Sequence, residues 1–245
     1  MINFKNKLFR SVADALFPER LTCELCGKEV FNKEFLCEDC IKSVNFSGDD
    51  ICLKCGRPNK YKPSACPSCK EERDIDLSRS AFAYEKGGEE LVKKFKYSDA
   101  RYMSKTLAGY MKNVYVNNYF APDIICYVPM TDVSLFKRGF NQAEFLAKDL
   151  AELVGMPCSD ILEKVSETPH QAGLGATKRR KNLQNAYAIK RGVRIKNKKI
   201  LLIDDVLTTG ATAGEIAALM KKRGAKSVYL LTLAAVDRTT TDGAK

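Results

Sequence analysis

Residues 199–214 constrain the fold more than any other segment of this chain. Four aliphatic residues, Ile200 to Ile203, precede two adjacent carboxylates, Asp204 and Asp205, and a short turn of small residues. An unbroken aliphatic run of this length is typical of a parallel strand that is covered on both faces. Carboxylates at the C-terminal end of such a strand lie where open α/β sheets bind their ligands. The segment therefore predicts an α/β sheet with a ligand site at this edge.

The turn that follows, Thr208 to Thr212, is suited to binding a phosphate. A helical pattern runs from about Ala213 to Arg223, and Gly224 is a residue type that commonly ends a helix. The start of a helix directs free backbone N–H groups and the positive end of its dipole at such a turn. Because the neighbouring carboxylates can accept hydrogen bonds from a ribose diol, we expect a sugar-phosphate site. The alternative is a buried strand that ends in a helix-capping turn and binds nothing.

This segment resembles, position by position, the signature with which type I phosphoribosyltransferases bind phosphoribosyl pyrophosphate (PRPP). The resemblance implies that Asp204 and Asp205 are the catalytic acids that hold the ribose hydroxyls. It also implies that the 5′-phosphate is wrapped by Thr208, Thr209, Gly210, Ala211 and Thr212. The expected fold is the type I phosphoribosyltransferase fold, a parallel sheet flanked by helices, and Mg²⁺ is expected to accompany PRPP.

Four Cys-x-x-Cys pairs near the N-terminus predict structural zinc. Two residues between thiols suit a knuckle that points both sulfurs at one tetrahedral ion, so two pairs complete a site. Disulfides are disfavoured without a secretory signal, and a dithiol redox site needs only one pair. Sequential pairing gives two ribbons and interleaved pairing a cross-brace; the equal spans of 23–40 and 52–69 favour the sequential arrangement. Two zinc ions are predicted, with the ligands Cys23, Cys26, Cys37, Cys40, Cys52, Cys55, Cys66 and Cys69.

The remaining patterns divide the 245 residues into four segments. We predict an amphipathic helix over 1–20, a double zinc ribbon over 21–78, a phosphoribosyltransferase-like domain over 79–237 and a polar tail over 238–245. The first helix is expected to dock on the protein itself, and its basic polar side leaves a membrane surface as the alternative. No segment reads as a membrane span or a signal peptide. A cytoplasmic protein is therefore expected, with peripheral attachment to the inner face of the membrane as the alternative.

A second strand, Ile124 to Val128, brings another turn to the same edge of the sheet. In phosphoribosyltransferases the corresponding turn cups the pyrophosphate, so the resemblance assigns that role to Val128, Pro129, Met130 and Thr131, together with Arg138. From Phe136 we expect a helix that continues to about Leu153.

Three further motifs resemble the ComF family of competence proteins, which pair a zinc-ribbon module with a phosphoribosyltransferase domain. They are the run Arg138 to Gln142, the run Thr168 to Leu174 and the run Arg179 to Leu183. Together with the PRPP segment they match in order, and the resemblance covers about residues 16 to 236. It implies a role in natural transformation, with single-stranded DNA as a partner and a competence helicase as a further partner.

Positive charge points to an anionic partner. The formal net charge is +11, and residues 178–199 contain ten cations and no acid. Lys178, Arg179, Arg180 and Lys181 are candidates for contacts with nucleic acid or for a loop that covers the departing pyrophosphate. Tyr187 could stack a base or belong to the core. The cluster Lys93, Lys94 and Lys96 fits either a solvated helix end or a phosphate contact.

The sequence is compatible with two functions. One is a PRPP-binding protein that handles incoming single-stranded DNA, which the family resemblance favours. The other is an active nucleobase phosphoribosyltransferase of nucleotide salvage, which releases pyrophosphate from PRPP and which the intact acidic pair supports. A regulator that senses PRPP would need a DNA-reading helix, and the zinc ribbons alone do not provide one.

Overall fold

A computed structural model describes residues 22–30, 35–48, 51–52, 54–57, 74–97, 100–118, 120–165 and 186–237. The chain divides into two compact units, Met1–Val44 and Asn45–Lys245. Several predictions fall outside the described residues: the N-terminal helix, the ligands Cys66 and Cys69, the run Thr168 to Leu174, the run Lys178 to Leu183, and the polar tail.

The first unit is built around two cysteine knuckles. In the first knuckle the Cys23 N–H donates to the Lys28 carbonyl at 2.6 Å, and the Gly27 N–H donates to the Cys23 carbonyl at 2.9 Å. Helix α1, Glu38–Ser43, begins directly after Cys37. Among the described residues of this unit, Val30, Phe35, Leu36 and Val44 are the buried apolar residues beside the knuckles.

The second unit contains a four-stranded parallel sheet. Its strands are β1 (Leu77–Ala83), β2 (Ile124–Tyr127), β5 (Lys199–Leu207) and β6 (Ser227–Ala235), in the order β1-β6-β5-β2. Ile200 to Ile203 are completely buried, as expected for a central strand covered on both faces. Strand β2 pairs with the first half of β5, so both strands end at the same edge of the sheet.

Helices cover this sheet. Helices α3 (Ser104–Asn117) and α5 (Gln142–Val154) pack against each other, α3 on β1 and β6 and α5 on β2 and β5. Helix α6 (Ala211–Lys222) contacts β6. Helix α2 (Lys86–Tyr97) contacts β6 and β1, and a 3₁₀ turn, Arg101–Met103, leads from it to α3. The predicted α/β architecture of helices around a parallel sheet is confirmed.

The helix expected from Phe136 to about Leu153 is in fact two helices. Helix α4, Asp132–Arg138, ends at Gly139, whose φ of 80° lies in the left-handed region. Helix α5 then starts anew because the Asn141 side chain accepts a hydrogen bond from the Ala143 N–H at 3.1 Å. Both are ordinary local signals, a glycine at a helix end and an asparagine at a helix start. The break turns the chain at the edge of the sheet that carries the acidic pair.

A small antiparallel pair lies apart from the main sheet. It consists of β3 (Leu162–Lys164) and β4 (Tyr187–Ile189), and β4 contacts helix α6. Tyr187 is 8% exposed, so the structure places this residue in the core.

The third cysteine pair packs tightly on strand β1. The Lys54 carbonyl accepts a hydrogen bond from the Ser78 N–H at 3.1 Å, and Cys52 and Cys55 are both buried. Gly56 has a φ of +68°, and a Cβ built on it would lie 2.5 Å from the Ser78 carbonyl oxygen. Only glycine combines this backbone conformation with so close an approach. This half of the predicted second ribbon is therefore joined to the edge of the sheet.

Candidate functional site

The two carboxylates of the PRPP-like segment lie at the C-terminal end of β5, where the strand emerges from its buried stretch. Asp204 and Asp205 are each partly exposed, in contrast to the residues before them. The Asp205 backbone N–H donates to Asp204 Oδ1 at 2.9 Å. Burial, followed by the charge of Asp205, raises the pKa of Asp204 to about 8, although the charges of Lys96 and Arg138 oppose this. Asp204 therefore exchanges its proton near neutral pH.

Lys96, near the end of α2, reaches across to the acidic pair. Its Nζ lies 2.9 Å from Asp205 Oδ2, and the two side chains are only 18% and 16% exposed. Burial lowers the pKa of Lys96, but the charge and hydrogen bond of Asp205, together with the charge of Asp204, outweigh burial and raise it. The lysine is consequently a permanent cation in this site. Of the lysine cluster noted in the sequence, Lys96 is the member that lies at the acidic pair.

The turn from Thr208 to Thr212 leads directly into helix α6. Gly210 caps the start of the helix with a φ of 81°, and Thr209 Oγ1 accepts a hydrogen bond from the Ala211 N–H at 3.3 Å. Glycine suits this position because its backbone is left-handed. The N-terminus of α6 thus follows, within one short turn, the strand that carries the acidic pair.

Two side chains from other parts of the unit hold this turn. Arg57, 1% exposed, donates from Nη2 to the Thr208 carbonyl at 2.8 Å. At the other end of the turn, the Tyr187 hydroxyl is hydrogen-bonded to Thr212; burial, then the charge of Asp204, raises the pKa of Tyr187 to about 12 despite this bond. Tyr187 is therefore a neutral support of the turn.

The turn after β2 lies next to the acidic pair. The Val128 N–H donates to the Ile203 carbonyl at 3.0 Å, which places Val128 beside the residue that precedes Asp204. Asn141 fixes the turn from the other side, since its Nδ2 donates to the Val128 carbonyl at 3.0 Å. Thr131 ends the turn by capping α4, its Oγ1 accepting from the Ser134 N–H at 3.2 Å. Sequence segments more than seventy residues apart thus meet at one edge of the sheet.

Arg138, the last residue of α4, supplies a second cation to this edge. Its charge lowers the pKa of Asp204 and also lowers that of Lys96. Arg138 Nη1 is 3.5 Å from Gln142 Oε1. Gln142 is 2% exposed, and within the described part of the chain its Nε2 has no hydrogen-bond partner. The charges of Lys96 and Arg138 therefore both favour the ionised form of Asp204.

The first four cysteines form one cluster. The sulfur atoms of Cys23, Cys26, Cys37 and Cys40 all lie within 4.8 Å of one another. Burial is the largest single effect on Cys23, but backbone N–H groups of residues 26, 37 and 25 outweigh it and lower the pKa of Cys23 to about 6. Burial, followed by bonds to the other three thiols, instead raises the pKa of Cys40. Four thiolates at these separations fit a tetrahedral structural zinc site. The cluster joins the first two pairs in sequence, as the equal spacing favoured. Cys52 and Cys55 are described without Cys66 and Cys69.

Sequence reasoning located the acidic pair and both turns but missed Arg57 and did not connect Lys96 to the carboxylates. Arg57 follows the third cysteine pair directly, and its contact with Thr208 spans 151 residues. No local pattern signals a contact at that distance. The predicted cations Lys178 to Lys181 lie outside the described residues. Within the described residues, no helix has the length and apolar character needed to cross a membrane.

Comparison with known proteins agrees with this architecture. A double zinc ribbon domain matches residues 12–70, and a phosphoribosyl transferase domain matches residues 133–243. The domain match and the parallel sheet together establish the type I phosphoribosyltransferase fold, preceded by a zinc-ribbon module. Among solved structures, the glutamine PRPP amidotransferase of B. subtilis covers 58% of this chain and 30% of its own, with 18% identity and a TM-score of 0.39. That similarity is too low to support a functional argument.

Several curated relatives match most of the chain. Competence protein F of Haemophilus influenzae is 30% identical over 213 residues, which are 82% of this chain and 91% of that protein. Competence protein ComFC of Streptococcus pneumoniae is 30% identical over 81% of this chain and 86% of its own. DNA utilization protein YhgH of Salmonella typhimurium is 27% identical over 85% of this chain and 94% of its own.

Proposed function

Since the chain belongs to the ComF family of competence proteins, we propose that it binds PRPP and handles incoming single-stranded DNA in natural transformation. The observation that carries the PRPP half is the convergence of the acidic pair, the Thr208-to-Thr212 turn and the Val128-to-Thr131 turn at one sheet edge. The names of the relatives, two of which are competence proteins and one a DNA utilization protein, support the DNA half.

Each part of PRPP has a counterpart in the proposed site. The carboxylates of Asp204 and Asp205 accept hydrogen bonds from the two ribose hydroxyls. The 5′-phosphate lies in the turn from Thr208 to Thr212, at the N-terminus of α6, where backbone N–H groups and the helix dipole favour negative charge. The pyrophosphate lies against the turn from Val128 to Thr131, with Arg138 beside it. Mg²⁺ bound with PRPP would neutralise charge on the pyrophosphate, and oxygen atoms are the ligands that this ion prefers.

The zinc-ribbon module holds two structural ions in this proposal. The first is bound by the described cluster of Cys23, Cys26, Cys37 and Cys40, and the second by Cys52 and Cys55 with the two later cysteines. An all-thiolate site leaves no coordination position for a substrate, so neither ion takes part in chemistry.

Single-stranded DNA binds to positive surface in this proposal. The net charge of +11 and the cations Lys178 to Lys181 supply contacts with phosphates. A cytoplasmic location follows from this role, because incoming DNA is processed there, with the inner face of the membrane as a peripheral position.

A second candidate function is favoured by the electrostatics of Asp204. A carboxyl whose pKa is raised to about 8 can accept or return a proton at neutral pH, as general acid–base chemistry requires. In this alternative the protein is an active phosphoribosyltransferase, in which a nucleobase nitrogen attacks the anomeric carbon of PRPP and pyrophosphate departs. Pyrophosphate release from PRPP, measured with a panel of bases and DNA ends, separates the two functions, because only the enzyme releases it.

The test of the PRPP site is calorimetric titration of PRPP with Mg²⁺. Asp204→Asn with Asp205→Asn is expected to remove binding while the protein stays folded. The matched control is Glu152→Gln with Glu163→Gln, which changes the charge equally at two exposed acids of the same unit. Unchanged PRPP affinity in the Asp204 and Asp205 variant would refute the assignment.

The test of the DNA site is the salt dependence of binding to a fluorescent single strand. Replacing Arg179, Arg180 and Lys181 by Ala should weaken binding and reduce the slope of log affinity against log salt by about 0.7 for each lost phosphate contact. Replacing the exposed Lys105, Lys137 and Lys222 by Ala is the charge-matched control. If the slope is the same in the first variant as in the wild type, DNA binds elsewhere on the protein.

A further inference from the structure

The ion pair between Lys96 and Asp205 differs from the pair that Lys93 of the same helix forms with Glu89. Lys93 pairs with Glu89, one turn back on the same helix, at 2.8 Å, and its side chain is 58% exposed. Lys96 instead leaves its helix and reaches the end of β5, where its side chain is 18% exposed. Exposed pairs within one helix contribute little to stability, whereas a shielded pair between elements interacts strongly. Lys96 is therefore held at the acidic pair by a specific interaction.

This pair occupies an oxygen that the sugar needs. In the proposed complex Asp205 accepts a hydrogen bond from a ribose hydroxyl, and Oδ2 of Asp205 already accepts from Lys96 at 2.9 Å. An ammonium group has three donors and no acceptor, and a ribose hydroxyl can compete with it as a donor to this oxygen. Binding of the sugar therefore weakens the hold of Asp205 on Lys96, which stays charged because Asp205 and Asp204 raise its pKa.

A released ammonium in a shielded site needs new acceptors, since an unpaired buried charge is strongly unfavourable. Of the groups on PRPP, only the phosphates carry anionic oxygens. The 5′-phosphate belongs to the turn that begins helix α6, which supplies its own N–H donors. The pyrophosphate is attached to the anomeric carbon, next to the ribose hydroxyls that displace the lysine. The charge of Arg138 acts on both Asp204 and Lys96, so Lys96 is not the sole cation that acts on the acidic pair.

We propose that Lys96 is an exchange cation that moves from Asp205 to the pyrophosphate when PRPP binds, and so makes the site select the pyrophosphorylated sugar. This inference rests on the proposed function of the acidic pair. Ribose 5-phosphate breaks the Lys96–Asp205 pair without offering the lysine a new partner. PRPP breaks the same pair and replaces it with a charge-assisted contact. The selectivity between the two ligands therefore resides in a lysine outside both predicted phosphate turns.

The test compares two ligands and three variants by calorimetric titration in the presence of Mg²⁺. Lys96→Met retains the aliphatic stem and removes the charge, Lys96→Arg retains the charge, and Lys93→Met is the control on the same helix. We expect Lys96→Met to weaken PRPP binding about tenfold or more, as for loss of a hydrogen bond to a charged group. Binding of ribose 5-phosphate should stay the same or become tighter, because the competitor for Asp205 is gone. Lys96→Arg should restore part of the PRPP affinity, and Lys93→Met should change neither ligand.

The outcomes separate the inference from the proposed function. Equal weakening of both ligands would show that Lys96 only supports the fold of the site, and would overturn the exchange. Unchanged or tighter PRPP binding in Lys96→Met would also overturn it. If Lys96→Met does not fold, the comparison of Lys96→Arg with the wild type decides, since equal weakening of both ligands by that variant also overturns the exchange. If the wild-type protein binds neither ligand, the proposed function itself fails.

Discussion

Replacing Asp204 by Asn is expected to stabilise the ligand-free protein, and more so as the pH rises. Burial and the neighbouring Asp205 raise the pKa of Asp204 to about 8, against an ordinary value of 3.8. Between these values the folded protein retains a proton that the unfolded chain has lost. Stability therefore falls as the pH rises through this window, and the full penalty is present above the folded-state pKa. Asn remains neutral at every pH and removes the penalty.

The pKa difference sets the size of the effect. At about 1.4 kcal/mol for each pH unit, it gives an upper bound of about 6 kcal/mol at pH 8 and above. Asp204 is only partly buried and Lys96 and Arg138 lie nearby, which reduces the penalty. We expect Asp204→Asn to raise the free energy of unfolding by about 2–3 kcal/mol at pH 8 and by clearly less at pH 6.

The assay is urea unfolding followed by far-ultraviolet circular dichroism, since the chain contains no tryptophan. Measurements at pH 6 and pH 8 avoid the acid range, in which protonation of cysteine ligands would release metal. The matched control is Asp205→Asn, one residue along the same strand. This change removes the partner of Lys96 and leaves a shielded positive charge, so it should lower the free energy of unfolding. Two isosteric substitutions at adjacent positions are thus expected to have opposite effects.

The raised pKa of Asp204 would be refuted if Asp204→Asn did not stabilise the protein, or if it stabilised the protein equally at pH 6 and pH 8. An absent gain would mean that Asp204 is ionised without penalty, and an equal gain would mean that its pKa in the folded protein lies below 6. In either case the second candidate function would lose its supporting observation. A stabilising effect of Asp205→Asn would show that the Lys96 pair contributes nothing to the folded state.

Three other changes test how the unit is held together. Arg57→Met removes the buried donor to the Thr208 carbonyl, so it should lower the free energy of unfolding by about 2 kcal/mol and weaken PRPP binding, as measured by urea unfolding and calorimetry. Gly56→Ala should lower the free energy of unfolding by more than Gly155→Ala. Both glycines have a positive φ, but only at Gly56 would the added Cβ clash, because it would lie 2.5 Å from a carbonyl oxygen. Equal unfolding free energies would contradict the close approach. Metal analysis should find two zinc ions per chain and one in Cys26→Ser, and loss of both would mean that the sites are interdependent.

Local patterns in the sequence determined the chemically informative segments. The aliphatic run before Asp204, the small residues from Thr208 and the short strand before Val128 each specify their own conformation, because strand period and turn chemistry act over a few residues. The equal spans of 23–40 and 52–69 likewise favoured sequential pairing, and the first two pairs form one cluster. The break at Gly139 is also encoded locally, by a glycine at a helix end and an asparagine at a helix start, although the sequence prediction placed one helix across it.

Only the tertiary structure decided which distant residues complete the site. Lys96 lies at Asp205 because α2 packs on the sheet in one orientation, and Arg57 reaches Thr208 because the third cysteine pair docks on β1. Both contacts join residues more than a hundred positions apart. Charge and side-chain type can nominate a lysine or an arginine, but its partner depends on how whole elements pack. The acidic pair could therefore be predicted from the sequence, whereas its contact with Lys96 could not.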